Sequence, residues 1–343
     1  MSLPVESGGW PSIYNHNPII NLAHFCVLIP EPLLLTPFHH TEYKIAISIA
    51  TKINSWIGIS FTSILHTDTY PEIDPKTRSN HRGRAVFITG GSRGIGRAIA
   101  ISFAKAGASA IAIGARSNLD SLEEEILAAA QEAGHPAPQV LKLHLDVTDE
   151  ASTTNAALQT EQQFGRLDVL INNSGYLEKW LLLAESNPTE WWRTWETNVR
   201  GVHLMLRAFL PLLLKGGWKI VVNVTSLGAY LLTPGSSSYS TSKLAITRLT
   251  EFVSEEYGAQ GIIALAVHPG LVRTELSLNL PEEIHPFLDN TTELPADTIT
   301  WLTSERREWL SGRYISANWH MPELVSRKEE IVTGDKLKVK LVL

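Results

Sequence analysis

The chain has 343 residues, 44% hydrophobic and 19% charged, enough for a sizeable core in one large domain or two small ones. A net charge of −6 and a pI near 6.1 argue against a general nucleic-acid binder, which would carry a basic surface. Cys26 is the only cysteine, which excludes an intrachain disulfide or a thiolate metal cluster and suits a reducing, cytoplasmic setting.

Residues 1 to about 81 lack periodicity and carry Pro4, Pro11, Pro18, Pro30, Pro32 and Pro37, so they are expected to form an irregular N-terminal extension. No apolar run there reaches the roughly 18 residues of a membrane span. Ile45–Leu65, the nearest candidate, is broken by Lys52, Asn54 and several Ser and Thr. Arg is absent before Arg78, and the start has no basic region followed by an apolar core, so neither a mitochondrial nor a secretory leader fits. His39-His40 lacks a third ligand at useful spacing, and no metal site is expected.

From Arg84 the pattern changes. Short β-branched runs at Ala85–Thr89, Ala110–Ile113, Val140–Leu145, Val169–Ile171, Ile220–Val224, Ile262–Val267 and Tyr314–Ser316 read as strands. Amphipathic stretches at Gly94–Ala106, Asp120–Ala133, Glu190–Leu214 and Tyr239–Tyr257 read as helices between them. The third has a start signal: Asn187 as cap, Pro188 at the first position and Glu190 at the third. Alternation of this kind predicts an α/β fold, a doubly wound Rossmann domain over residues 82–326 with a mostly parallel sheet of about seven strands. Residues 327–343 would be a C-terminal tail.

Thr89-Gly90-Gly91-Ser92-Arg93-Gly94-Ile95-Gly96 follows the first strand and opens the first helix. Glycines there let the backbone approach a pyrophosphate, and the helix N-terminus offers free N–H groups to it. At the end of the second strand an NAD site would place an acid, but here stand Gly114-Ala115-Arg116. Arg116, with Arg93 in the glycine loop, would neutralise a 2′-phosphate, which favours NADP over NAD. The alternative is that Arg116 is an ordinary surface residue at the start of a loop.

Tyr239-Ser240-Thr241-Ser242-Lys243 puts a phenol and an ammonium four residues apart on one helix face. A fixed cation beside a tyrosine favours the phenolate and is expected to lower its pKa toward the working range. Ser226 ends the fifth strand thirteen residues earlier, and Asn198 lies on the preceding helix.

The glycine spacing together with Asn198, Ser226, Tyr239 and Lys243 resembles the short-chain dehydrogenase/reductase family over about residues 82–320. Tyr70–Pro75 also resembles the lead-in of some fungal members. The resemblance implies that Tyr239 gives or takes the hydroxyl proton and Ser226 stabilises charge on the substrate oxygen. Lys243 would tune Tyr239 and hold the nicotinamide ribose, and Asn198 would keep a relay water. It further implies that Asp146 meets the adenine amino group, while Asn172 and Gly175, in Asn172-Asn173-Ser174-Gly175, wall the riboses. The family usually has Ala at the third of these positions. Pro269, Gly270, Val272 and Thr274 would anchor the carboxamide.

Tyr176, Trp180, Tyr230, Leu231 and the segment 275–288 are expected to line or cover a pocket for an apolar carbonyl or alcohol. Trp191, Trp192 and Trp195 read as helix packing rather than a binding surface. The expected protein is a homodimer or homotetramer with a small-molecule substrate and neither nucleic-acid nor membrane partners. A catalytically idle NADP-binding regulator is the other reading, which an intact tetrad disfavours.

Overall fold

The computed structural model describes residues 58–341, so Cys26 and His39-His40 lie outside the described residues. Seven parallel strands form one sheet: β1 (Ala85–Thr89), β2 (Ala110–Ala115), β3 (Gln139–His144), β4 (Val169–Asn172), β5 (Ile220–Val224), β6 (Ile263–His268) and β7 (Arg313–Ser316). Their spatial order is β3-β2-β1-β4-β5-β6-β7. All but β3 are buried along their length, which is why they read as unbroken apolar runs rather than alternating ones.

Helices cover both faces: α1 (Gly94–Lys105), α2 (Asp120–Glu132), α3 (Glu150–Phe164), α4 (Pro188–Trp195), α5 (Gly201–Lys215), α6 (Ser237–Tyr257) and α7 (Glu293–Ser304). Two short helices close the chain, α8 (Met321–Ser326) and α9 (Lys328–Thr333). Each face of the sheet has its own apolar cluster, one around Ile88, Ile111 and Ile171 and the other around Phe87, Leu170 and Phe209. β1 pairs with β2 on one side and β4 on the other, so the two halves of the sheet diverge there. In open sheets of this kind ligands bind beyond the C-terminal strand ends beside such a switch point, and the glycine turn, Ser226 and Pro269–Thr274 all follow C-terminal strand ends.

Two differences from the sequence reading concern the elements. The helix expected over Glu190–Leu214 is broken: α4 and α5 are joined by one π-helical turn, Glu196–Arg200, that contains Asn198. A π-turn inserts a residue without ending the helix, and apolar periodicity does not register it. The segment 59–81, expected to be part of an irregular extension, belongs to the same compact unit as the sheet. Its anchors are Tyr70 and Ile73, both buried, with Ile73 fully so. The buried positions of the segment, Thr62, Tyr70, Ile73, Pro75 and His81, share no single period. The tail is likewise held, with Ile331 buried and Tyr314 N–H donating to Leu337 O at 2.8 Å.

Candidate active site

The glycine turn leaves β1 and enters α1 with Arg93 in extended conformation at the N-cap and no side chain capping the helix. The first-turn N–H groups therefore remain available to an anion. Gly96 is required by space: a Cβ there would stand 2.2 Å from Gly90 O. Ser92 and Ile95 are half-buried in the same turn.

The turn is stitched to the loop after β4. Thr89 Oγ1 accepts from the N–H groups of Asn173 and Ser174, both at 2.9 Å, and Asn173 Nδ2 donates to Thr89 O at 2.9 Å. Asn172 ends β4, is buried, and donates through Nδ2 to Asn223 Oδ1 at 2.8 Å. Its neighbour Asn173 is the residue that grips the glycine turn, and the doublet Asn172-Asn173 alone could not say which does so.

Arg116 follows β2 and is exposed. Asp146 lies close enough to feel its charge. Burial raises the Asp146 carboxyl, but two hydrogen bonds from Thr148 and the charges of Arg116 and His144 outweigh it and leave the pKa lowered. Arg93 pairs with Glu275 at 2.5 Å, both largely exposed. Such a pair is worth little and is readily exchanged for a better anion.

Ser226, Tyr239, Lys243 and Asn198 come together at the ends of β4 and β5. Ser226 Oγ accepts from Gly228 N–H at 3.0 Å and hydrogen-bonds Tyr239. Lys243 is buried, donates through Nζ to Val224 O at 2.9 Å, and stands 5.6 Å from the Tyr239 ring centroid. A Cβ on Gly175 would lie 3.6 Å from Asn198 Oδ1 and 3.8 Å from Lys243 Nζ, so Gly175 walls the same space. Asn198 clasps Tyr176, accepting its N–H at 2.8 Å and donating to its carbonyl at 2.9 Å, and donates to Ser242 Oγ at 3.0 Å. Both of its amide hydrogens are spent on protein.

The electrostatics differ from the expectation for Tyr239. Burial pushes its pKa up to about 12; the charge of Glu178 adds to this, and only the Ser226 hydrogen bond opposes it. Burial likewise brings Lys243 down to about 8. Both groups have lost water, and Lys243 turns its bond to a carbonyl rather than to the phenol, so desolvation dominates.

Two residues near the site escaped the sequence reading. Glu178 is buried beside Tyr239, and its Oε2 accepts from Thr194 Oγ1. A lone acid in the apolar stretch Leu177–Leu183 was the available signal. His268, at the end of β6, accepts the Leu227 N–H at 3.1 Å, and burial lowers its pKa to about 3. A neutral imidazole thus steadies the residue after Ser226.

Residues 275–288 lie across the loop after β4: Asn279 Nδ2 donates to Leu177 O at 2.9 Å, and a Cβ on Gly175 would meet Leu276 at 3.4 Å. Trp180 packs against Gly235. Leu231 is half-buried just beyond the turn that follows Ser226. Tyr230, expected in the pocket, instead turns to the core, edge-on to Tyr314 with centroids 5.1 Å apart. The three tryptophans of α4 stack with nearly parallel rings, and Trp191 donates to Ser237 Oγ at 3.1 Å, tying α4 to α6. Among the described residues no group of three His, Cys, Asp or Glu could hold a metal, and no helix is long and apolar enough to cross a membrane.

A short chain dehydrogenase family model matches residues 84–285, well over half of the chain. The chain belongs to the short-chain dehydrogenase/reductase family, oxidoreductases that interconvert CH–OH and C=O with a nicotinamide dinucleotide. The short chain dehydrogenase mpl6 of Monascus purpureus is 58% identical over 286 residues, covering 83% of this chain and 98% of its own. The short chain dehydrogenase pigC of Monascus ruber is 49% identical over 284 residues, 82% of this chain and 93% of its own. Among solved structures, levodione reductase superposes with a TM-score of 0.64 at 26% identity, over 70% of this chain and 97% of its own. Only 260 residues (343 less 83) run from Arg84 to the end, so the 286-residue match also takes in residues upstream of β1.

Proposed function

We propose that the protein is an NADP(H)-dependent oxidoreductase acting on a carbonyl or secondary alcohol of an apolar small molecule, in fungal specialised metabolism. The observation that carries this is the convergence of Ser226, Tyr239 and Lys243 at the end of β5, opposite a glycine turn open to an anion. The fungal relatives support the setting. A cytoplasmic homodimer or homotetramer is part of the same proposal.

The residues present fit a dinucleotide: an uncapped first helical turn, the Cβ-less approach at Gly96, and a basic residue with no acid at the end of β2. The bound cofactor would supply or accept the hydride. Arg93 and Arg116 would hold its 2′-phosphate, Asp146 its adenine, and Pro269–Thr274 its carboxamide. Tyr239, which keeps its proton at neutral pH, would donate it to the oxygen of a reduced carbonyl. Ser226 would orient that oxygen. Lys243, protonated below about pH 8, would stabilise the phenolate left behind. With the Asn198 side chain engaged by Tyr176 and Ser242, a relay water would rest on its main-chain carbonyl instead.

Cofactor binding and turnover test this together. A panel of ketones should be reduced with NADPH, followed by nicotinamide absorbance. Charge-assisted bonds are worth about 1.5–3 kcal/mol each, so wild type should bind NADPH at least about tenfold tighter than NADH. Arg116→Asp should erase that preference, since it sets a carboxylate where the phosphate would lie. Equal wild-type affinities, or an unchanged preference in the variant, would overturn the NADP reading.

A further inference from the structure

The turn after β6 carries an odd load. Pro269 has no N–H, Gly270 sits at φ +88°, and both main-chain hydrogen bonds of Leu271 go to one residue, Asn290. Leu271 N–H donates to Asn290 Oδ1 at 2.8 Å, and Asn290 N–H donates back to Leu271 O at 3.2 Å. Val272 and Asn290 then form an isolated parallel bridge. The approach is so close that a Cβ on Gly270 would stand 2.3 Å from Asn290 Oδ1.

Asn290 is itself held from behind. Asn318 Nδ2 donates to Asn290 Oδ1 and to His66 O, both at 2.8 Å, and His66 N–H donates to Asn318 O at 2.8 Å. Next along, Thr291 N–H donates to Thr67 O at 3.0 Å and Thr291 Oγ1 to Asp68 Oδ1 at 2.6 Å. Leu65 bridges Trp319 in antiparallel register. Residues 61–73 thus form a strap upstream of β1.

The strap is locked at both ends. Ser63 donates to Glu323 through N–H and Oγ, at 2.8 and 2.7 Å. Tyr70 OH accepts from Met321 N–H at 2.9 Å and reaches Trp319 O at 3.2 Å, with Ile73 fully buried beyond it.

We propose that Asn290 is a positioning residue for the nicotinamide end of the site, and that the strap at residues 61–73 sets it in place through Asn318. The physical reason is that a Pro-Gly turn has few internal bonds to define it. An amide oxygen shared between Leu271 N–H and Asn318 Nδ2 fixes the turn in one direction, provided Asn318 is fixed too. The strap supplies that second fixation from outside the span of the family match, which begins at residue 84. This rests on the reading of Pro269–Thr274 as the carboxamide anchor.

The test compares two ligands that share the adenosine end and differ at the other. Dissociation constants for NADPH and for 2′,5′-ADP, which has no nicotinamide, are measured for wild type, Asn290→Ala and Asn318→Ala. Both variants should bind NADPH about tenfold more weakly and 2′,5′-ADP within about twofold of wild type. Asn318→Ala leaves the bonds between Asn290 and Leu271 in place, so it keeps the test open if Asn290→Ala does not fold. Equal weakening of both ligands would show general destabilisation and overturn the proposal, as would unchanged NADPH binding in every variant that folds. Weakening in Asn290→Ala alone would remove the strap from it. Failure of wild type itself to bind NADPH would overturn the cofactor reading directly, and this inference with it.

Discussion

Lys243 brings a charge into a place that offers it one acceptor, the carbonyl of Val224. Its pKa of about 8, against 10.5 in the open, measures that discomfort. Between those values the unfolded chain holds a proton that the folded chain lacks. Stability should therefore rise with pH across that window, and the penalty is fully present below pH 8. A shift of this size is worth about 3 kcal/mol, an upper bound for what removing the charge can return. Lys243→Met should unfold at a higher temperature than wild type at pH 7, with the gap narrowing by pH 10.5, while turnover is lost. Thermal unfolding at the two pH values checks this, and a variant less stable than wild type at pH 7 would contradict it. Tyr239 and Lys243 were visible in the chain as a phenol and an ammonium four residues apart. Their pKa shifts were not, because spacing says nothing about how much water remains or where Lys243 Nζ finds its acceptor.

The elements that carry the site were legible wherever one period ran unbroken. β1, the glycine turn and α1 could be placed from apolar runs and glycines alone, and α6 within two residues of its start. The π-turn around Asn198 could not, since it adds a residue to a helix whose apolar face continues on both sides. Nor could the strap, whose anchors are a few side chains separated by turns. Those anchors make a prediction. Fully burying a large apolar side chain contributes about 1.5–3 kcal/mol, and Ile73 and Tyr70 are both buried. Compared with a chain beginning at Ile59, one beginning at Pro75 should lose about 3–6 kcal/mol, a large part of a domain's usual margin. Deleting only as far as residue 65 should also cost stability, because Ser63 binds Glu323 and Phe61 packs on Trp319 with centroids 5.0 Å apart. Urea denaturation of the truncated proteins measures this, and equal midpoints would show the strap to be idle.

At the scale of the molecule, the sheet gathers motifs from six loops onto one edge, so residues as distant in sequence as Gly94 and Thr274 share a wall. A Cβ on Gly94 would meet Thr274 at 3.3 Å. The surface is less forthcoming about assembly. The apolar face of α5 is turned inward, with Met205, Phe209 and Leu213 buried. On α6, Phe252 stays 54% exposed, which is the kind of side chain a symmetry mate would cover. The proposed oligomer predicts a dimer or tetramer mass by light scattering at micromolar concentration, shifting toward monomer in Phe252→Glu. A monomeric wild type would reject it.

The proposed role of Tyr239 is that of proton donor in a nicotinamide-dependent carbonyl reductase. Tyr239→Phe keeps the ring and removes only the hydroxyl, so the most direct measurement is its turnover and its NADPH affinity, side by side with wild type on a ketone that wild type reduces. Turnover should fall by at least about a hundredfold, the low end of what positioned acid catalysis provides, while the NADPH dissociation constant stays within about twofold. A variant retaining a tenth or more of wild-type turnover would contradict the assignment.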